Sequence, residues 1–346
     1  MHISTQIIRL PKLYALRISR GIRYYSQNIF LFLSRDNHTG IGECDPGNFG
    51  LEENSIINSQ KILEDFIKNI NLEKLSISEV WQSAHEANLA KPLQAALDIA
   101  LWDLLGKESH KSCYNLFGLS PQAVPTSITV GILELDQIAS RVEELLAHNK
   151  FKYLKIKLGS PDGIERDKDA FINIQKAAKK FGVTLRVDAN GGWSLADAKN
   201  MCSWLAENHV EYVEQPLSSN YDDALPELYK TRRLPIFVDE SCHLSEDIVR
   251  LSSCIDGINI KLMKCGGLTE ALRMVAVARA HKLKTMIGCM SESSVSIAAA
   301  ASIGSLFDYT DLDSWINLNP DPATGLSLVN CSVMPNKAFG HGASLC

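Results

Sequence analysis

The feature that most restricts the fold of this chain is a rhythm of apolar runs, each ending in a charged residue. Tyr153-Leu154-Lys155-Ile156-Lys157, Leu185-Arg186-Val187-Asp188, Tyr212-Val213-Glu214, Ile236-Phe237-Val238-Asp239 and Ile258-Asn259-Ile260-Lys261 follow one another, their ends at steps of 31, 26, 25 and 22 residues. Each step has the length of a strand, a helix and two short loops. Residues 127–131, 285–288 and 307–312 read as further strands, which makes eight. Amphipathic stretches at 135–148, 164–181 and 269–281 fit between them, and Ser194 with Asp197 three residues on reads as a helix start. Eight strands at βα spacing predict a closed barrel rather than an open sheet. Charges at the carboxyl ends of such strands converge on one mouth.

The first 110 or so residues lack this rhythm. Residues 1–10, 28–34 and 41–44 read as strands, with an exposed loop at 19–23 and a hairpin turn at 37–40. From Leu93, apolar residues recur through Ala96, Leu97, Ala100, Leu101 and Leu104 with helical period, and Pro92 suits the first turn. The expected organisation is an α+β domain over 1–115, a barrel over 126–315 and a tail over 320–346 packing back on the first domain.

Hydrophobic residues at 45% and charged ones at 22% describe an ordinary globular chain, and the net charge of -5 argues against nucleic-acid binding. The nine cysteines are dispersed without a Cys-x-x-Cys pair, which fits a reducing compartment rather than a zinc or redox site. No apolar run suits a membrane span, and the amino terminus, with Arg9, Lys12, Arg17 and Arg20, does not read as a signal peptide. The expected location is cytoplasmic, with no membrane or nucleic-acid partner; a homo-oligomer is compatible with the sequence.

Alternation along a strand puts Lys155 and Lys157 on one face, where mutual repulsion is expected to lower at least one pKa toward the range of a general base. Asp188, Glu214 and Asp239 add three carboxylates and no imidazole or thiolate, a donor set suited to Mg²⁺. A single acid of this kind more often caps the next helix. Three at consecutive strand ends, flanked by lysines, favour a metal. Lys157 on the second strand and Lys261 on the sixth approach the mouth from opposite sides. A divalent cation beside lysines suits removal of a proton next to a carboxylate, and bases on both faces of one carbon suit epimerisation.

The set Lys155-Ile156-Lys157, Asp188-Ala189-Asn190, Glu214-Gln215-Pro216, Asp239-Glu240-Ser241 and Asn259-Ile260-Lys261 resembles the enolase superfamily, muconate-lactonizing subgroup, from end to end of the chain. The resemblance implies a capping domain over a modified (β/α)7β barrel. It implies Mg²⁺ on Asp188, Glu214 and Asp239, and acid/base roles for Lys157 and Lys261. Lys155 would touch the substrate carboxylate and depress the pKa of Lys157.

On the last strand, Asp311 and Asp313 share a face, so they would repel dianionic acids and attract an ammonium group. Dipeptide epimerases, which hold a substrate amino terminus with such an Asp-x-Asp pair, are the family this resembles. The motif 287–292, which carries Ser291 as an expected substrate contact, and the motif 261–267 look like that family too. Thr129, at the first strand's end, is a further candidate to bond the peptide or carboxylate. Asp311 as a helix cap with Asp313 solvated is the plainer alternative. Lys264 is expected to face elsewhere, and Glu240 to point away from Asp239. The resemblance implies that capping-domain loops, here 19–25 and 44–50, close over the substrate; Arg20 or Arg23 in the first would favour a carboxy-terminal Glu, and a small pocket would favour Ala-Ala. The expected activity is Mg²⁺-dependent epimerisation of a dipeptide at its carboxy-terminal α-carbon. The alternatives are o-succinylbenzoate synthase, N-acylamino acid racemase or cycloisomerase activity on an anionic acid, and a catalytically silent binding protein.

Overall fold

The computed structural model describes residues 1–49, 55–147 and 151–346. Its first layer is an antiparallel sheet of β1 (His2–Ile18), β2 (Gly21–Arg35) and β3 (His38–Cys44), in that order. The loop expected at 19–23 is a turn of Ser19 and Arg20 only, because Leu16, Arg17 and Ile18 pair with Arg23, Ile22 and Gly21. Gly21 makes the turn with φ of 141°, a conformation that L side chains resist. The other loop expected over the mouth, at 44–50, ends on Gly50, which lies outside the described residues.

Helices α1 (Ser55–Asn69), α2 (Ile77–Glu86), α3 (Lys91–Glu108) and α4 (Cys113–Leu116) complete the cap. Helix α3 starts with proline in its first turn and is buried on almost every side, since it lies between the sheet and the barrel. A Cβ on Gly42 would sit 1.8 Å from the Ala96 carbonyl oxygen, so glycine in β3 is what lets helix and strand meet.

The second layer is the predicted barrel. Its elements are β4 (Ser127–Val130), α5 (Ile138–Ala147), β5 (Tyr153–Lys157), α6 (Ile164–Ala178), β6 (Thr184–Asp188) and α7 (Leu195–Glu207). There follow β7 (Val213–Glu214), α8 (Leu225–Thr231), β8 (Ile236–Val238), α9 (Ser245–Leu251) and β9 (Gly257–Lys261). The remainder is α10 (Leu262–Cys265), α11 (Leu268–Ala280), β10 (Lys284–Gly288), α12 (Ser294–Ser302) and β11 (Tyr309–Asp311). All eight strands are parallel and neighbour one another in chain order. A parallel bridge between Thr126 and Thr310, with the Leu312 amide donating to Thr126 Oγ1 at 2.9 Å, brings the first and last strands together. The helix expected at 135–148 opens with a tight turn before α5, and His148 lies outside the described residues.

Below the mouth, Arg186 stacks 3.7 Å over the Tyr153 ring and bonds Glu211 Oε2 at 2.7 Å, filling the barrel floor. The tail forms two antiparallel two-stranded sheets, β12 (Ala323–Thr324) with β15 (Ser344–Leu345) and, as a hairpin, β13 (Leu326–Val329) with β14 (Ser332–Pro335). It touches both units: the His341 amide donates to Asp103 Oδ1 at 3.0 Å in the cap, and the Thr126 amide donates to the Cys331 carbonyl at 2.7 Å.

Candidate active site

At the barrel mouth the sheet register sets the charged side chains level with one another. Lys157 pairs with Asp188, Asp188 with Glu214, and Gly288 with both Lys261 and Asp311. Asp239 lies one residue past β8. β5 and β9 are four strands apart in the eight-strand ring, so Lys157 and Lys261 stand on opposite sides of the mouth. Lys155, Asp188 and Glu214 are wholly buried, and Asp239, Lys261 and Asp311 nearly so.

The ammonium groups lie between the carboxylates. Lys155 Nζ is 2.6 Å from Asp311 Oδ2, 2.8 Å from Glu214 Oε2 and 3.4 Å from Asp188 Oδ2. Lys157 Nζ donates to Asp188 Oδ2 at 2.6 Å, and Lys261 Nζ to Asp239 Oδ2 at 2.8 Å. Burial opposes charge on Lys155, but Asp311, Glu214 and Asp188 outweigh it and raise its pKa well above the ordinary value. Lys261 is raised too: burial works against it, and Asp239 prevails. For Lys155 the outcome reverses the expectation from Lys–Lys repulsion. The acids across the sheet lie within 2.6 to 3.4 Å of its Nζ and decide its charge. The carboxylates divide. Burial and then Asp188 push Glu214 up to about 7, whereas Lys157 and Lys155 overcome burial to hold Asp188 down at about 2. Lys261 and Lys264 likewise overcome burial to keep Asp239 well below the carboxylate range.

Residues beside the acids hold them. Gln215, at φ of 39°, accepts from the Asp239 amide at 2.8 Å and donates to Ser241 Oγ at 2.7 Å, tying the ends of β7 and β8. Asn190, at φ of 44°, donates its amide to Asp188 Oδ1 at 2.8 Å and its side chain to Glu240 Oε1 at 3.2 Å. Asn259 Nδ2 donates to Glu214 Oε1 at 2.8 Å. Its room depends on Gly288, where a Cβ would lie 2.4 Å from Asn259 Oδ1. Lys264, expected to face elsewhere, folds back to 2.5 Å from Asp239 Oδ1. The available signals were the residues two after Asp188, one after Glu214 and two before Lys261; Lys264 was marked only by its place in the motif 261–267.

The remaining candidates cluster where β11 meets β4. Asp313 Oδ2 accepts the Thr129 amide at 2.7 Å, and Asp311 Oδ1 is buried with no hydrogen-bond partner. Burial and then Asp311 raise Asp313 to about 6. Ser291 sits at the seam with the cap: its hydroxyl accepts from Lys12 Nζ at 3.0 Å and its carbonyl from Asn28 Nδ2 at 2.8 Å. Arg20 Nη1 pairs with Glu240 Oε1 at 2.5 Å, and Arg23 with Asp45 Oδ2 at 3.3 Å and the Gly47 carbonyl at 2.6 Å.

Among the described residues no three His, Cys, Asp or Glu side chains close around one point. Asp188, Glu214 and Asp239 nevertheless fit a hard divalent cation: they are all-oxygen donors on consecutive strands. Glu214 Oε2 and Asp239 Oδ1 are buried and lack hydrogen bonds, although Lys155 and Lys264 lie at 2.8 and 2.5 Å. No helix of the described residues is long and apolar enough to cross a membrane.

A three-stranded cap over an eight-stranded βα barrel with lysines and acids at its mouth is the arrangement of enolase-like enzymes. Residues 137–344 match the family described as enolase C-terminal domain-like, and residues 4–118 match the mandelate racemase / muconate lactonizing enzyme N-terminal domain. The hydrophobic dipeptide epimerase of Roseobacter litoralis is 52% identical over 345 residues, 100% of this chain and 99% of the relative. The dipeptide epimerase of Cytophaga hutchinsonii, solved with Mg and D-Ala-L-Val, superposes with a TM-score of 0.92 at 26% identity, covering 99% of this chain and 95% of that one. The Enterococcus faecalis dipeptide epimerase, solved with Mg and L-Leu-L-Tyr, gives a TM-score of 0.90 at 30% identity, covering 99% and 98%. This chain belongs to the dipeptide epimerase family of the enolase superfamily.

Proposed function

We propose that this chain is a Mg²⁺-dependent epimerase that inverts the α-carbon of the carboxy-terminal residue of a dipeptide by two-base 1,1-proton transfer. The observation that carries the reading is the placement of Lys157 and Lys261 four strands apart across one mouth, with the carboxylates between them. Dipeptide epimerisation fits this better than elimination or cycloisomerisation of a dianionic acid, for which Asp311 and Asp313 are repulsive neighbours.

Asp188, Glu214 and Asp239 would hold the cation, whose charge would stabilise negative charge developing on the substrate carboxylate. In each turnover one lysine starts neutral and the other as an ammonium. The neutral Nζ takes the α-proton, and the electron pair of the broken C–H bond moves into the carboxylate as an enediolate. The opposite ammonium then delivers its proton to the other face, and the centre is inverted. Lys155, held cationic by three acids, is a fixed positive charge beside the reacting carboxylate. Asp311 Oδ1 is a free acceptor for the dipeptide's ammonium group, with Asp313 fixed beside it by the Thr129 amide.

The side chains preferred are neutral and apolar. Arg20 and Arg23, the cations that would have favoured Glu, are each committed to an acid of this chain. The name of the Roseobacter relative and the Leu-Tyr ligand of the Enterococcus structure agree. Incubation with a library of dipeptides in D₂O and Mg²⁺, read by mass and chiral chromatography, tests the reading. Apolar dipeptides should gain one deuterium with inversion and outpace those ending in Glu. Absence of deuterium in every dipeptide would overturn it.

A further inference from the structure

Lys264 lies outside the two-base scheme, yet it is one of the most tightly held groups at the mouth. Its side chain is 4% exposed, and its Nζ is 2.5 Å from Asp239 Oδ1. The same ammonium donates to the carbonyls of Asp239, Cys242 at 3.1 Å and Asn259 at 3.0 Å. It therefore joins the end of β8, the loop after it and β9 at one point. The one-turn helix α10 produces this by swinging residue 264 back toward the strand ends, and Gly266, at φ of 87°, ends the turn.

Asp239 is thereby divided. One oxygen faces Lys264 and the other accepts from Lys261 at 2.8 Å. An ammonium has three protons, and four acceptors surround this one, so no proton remains to exchange with a substrate. General-base chemistry at Lys264 is excluded by this saturation. What remains is orientation.

We propose that Lys264 is a positioning residue that fixes the plane of the Asp239 carboxylate, and through it both cation binding and the placement of Lys261. This rests on the reading of Asp239 as a cation ligand given above. A group that holds a ligating carboxylate typically changes metal affinity by about ten- to a hundredfold when removed. Lys157 is held by Asp188 instead, on the far side of the mouth, so the two bases should respond unequally.

The test uses Lys264→Met and Lys264→Gln, the second keeping a neutral donor for the buried carbonyls, with circular dichroism as the check of folding. Mg²⁺ binding is measured by calorimetry without substrate, and α-proton exchange in D₂O is measured on each dipeptide diastereomer separately. The expected result is Mg²⁺ affinity about ten- to a hundredfold weaker, with exchange lost more from the isomer served by Lys261 than from the one served by Lys157. Folded variants that bind Mg²⁺ like the parent, or lose both exchange rates equally, overturn the proposal. Asp239→Asn separates this from failure of the underlying reading. If that variant also binds Mg²⁺ normally, Asp239 is not a ligand. If it loses Mg²⁺ while a folded Lys264→Gln keeps it, only the role of Lys264 fails.

Discussion

Capping the amino terminus of a dipeptide should expose what Asp311 and Asp313 do. In the structure Asp311 spends Oδ2 on Lys155 and keeps Oδ1 buried without a hydrogen bond, while Asp313 spends Oδ2 on the Thr129 amide. An incoming ammonium therefore meets one waiting acceptor at Asp311 and a carboxylate already oriented at Asp313. A charge-assisted hydrogen bond is worth about 1.5–3 kcal/mol, so losing one should lower kcat/KM roughly ten- to a hundredfold. The assay compares Ala-Leu with N-acetyl-Ala-Leu, in the parent and in Asp313→Asn. The free dipeptide should win by that factor in the parent. The variant should narrow the gap by weakening the free dipeptide more than the capped one. Equal rates on both substrates in the parent would refute the assignment of an ammonium site and point to N-acylamino acid racemisation.

Chelation with EDTA should abolish turnover while leaving the circular dichroism spectrum in place, and Mg²⁺ should restore it; turnover that persists after exhaustive chelation removes the metal from the account. Gly288→Ala puts a Cβ 2.4 Å from Asn259 Oδ1, which must shift and release Glu214, so it should cost about 1–3 kcal/mol in denaturant unfolding and weaken Mg²⁺ binding. Unchanged unfolding in that variant would show that Asn259 yields freely. Asp98 on α3 accepts from the Thr269 amide at 3.0 Å at the seam with the barrel, and burial raises its pKa to about 7. A raised carboxyl binds more protons folded than unfolded, so stability should fall as pH rises from about 4 to 7. Against Asp98→Asn, the parent should lose roughly 2–3 kcal/mol between pH 5 and 8, and parallel curves for the two proteins would contradict this.

Most of the barrel was legible because its periodicity is covalent. Apolar runs with charged ends recur at βα spacing, and β5, β6 and β9 end on the charged residues expected, Lys157, Asp188 and Lys261. The β1–β2 hairpin was not, since Leu16–Arg23 and its neighbours pair through the backbone beyond the core, where side-chain alternation is weak. At the mouth, strand alternation placed the lysines and acids but gave no distances across the sheet. Hence Lys155 was read against Lys157 when its nearest charges are Asp311 and Glu214. Lys264 was misplaced because three residues past a strand end reads as departure, and only the single turn of α10 brings it back. The paired glycines Gly266 and Gly267 were noted as motif. The reason for Gly267 is Asp98, 169 residues earlier in the chain: a Cβ on Gly267 would sit 2.4 Å from Asp98 Oδ2. Contacts of that separation leave no local pattern.

The two-base claim itself is tested most directly by isotope exchange in Lys157→Ala and Lys261→Ala. Each variant, loaded with Mg²⁺ in D₂O, is given the two diastereomers of one apolar dipeptide separately, and α-deuterium and configuration are read together. Because the lysines stand on opposite sides of the mouth, neither variant should epimerise, and each should exchange at most one diastereomer, a different one for each variant. Two-way epimerisation by either variant, or exchange of the same diastereomer by both, would contradict the assignment of Lys157 and Lys261 as the two bases.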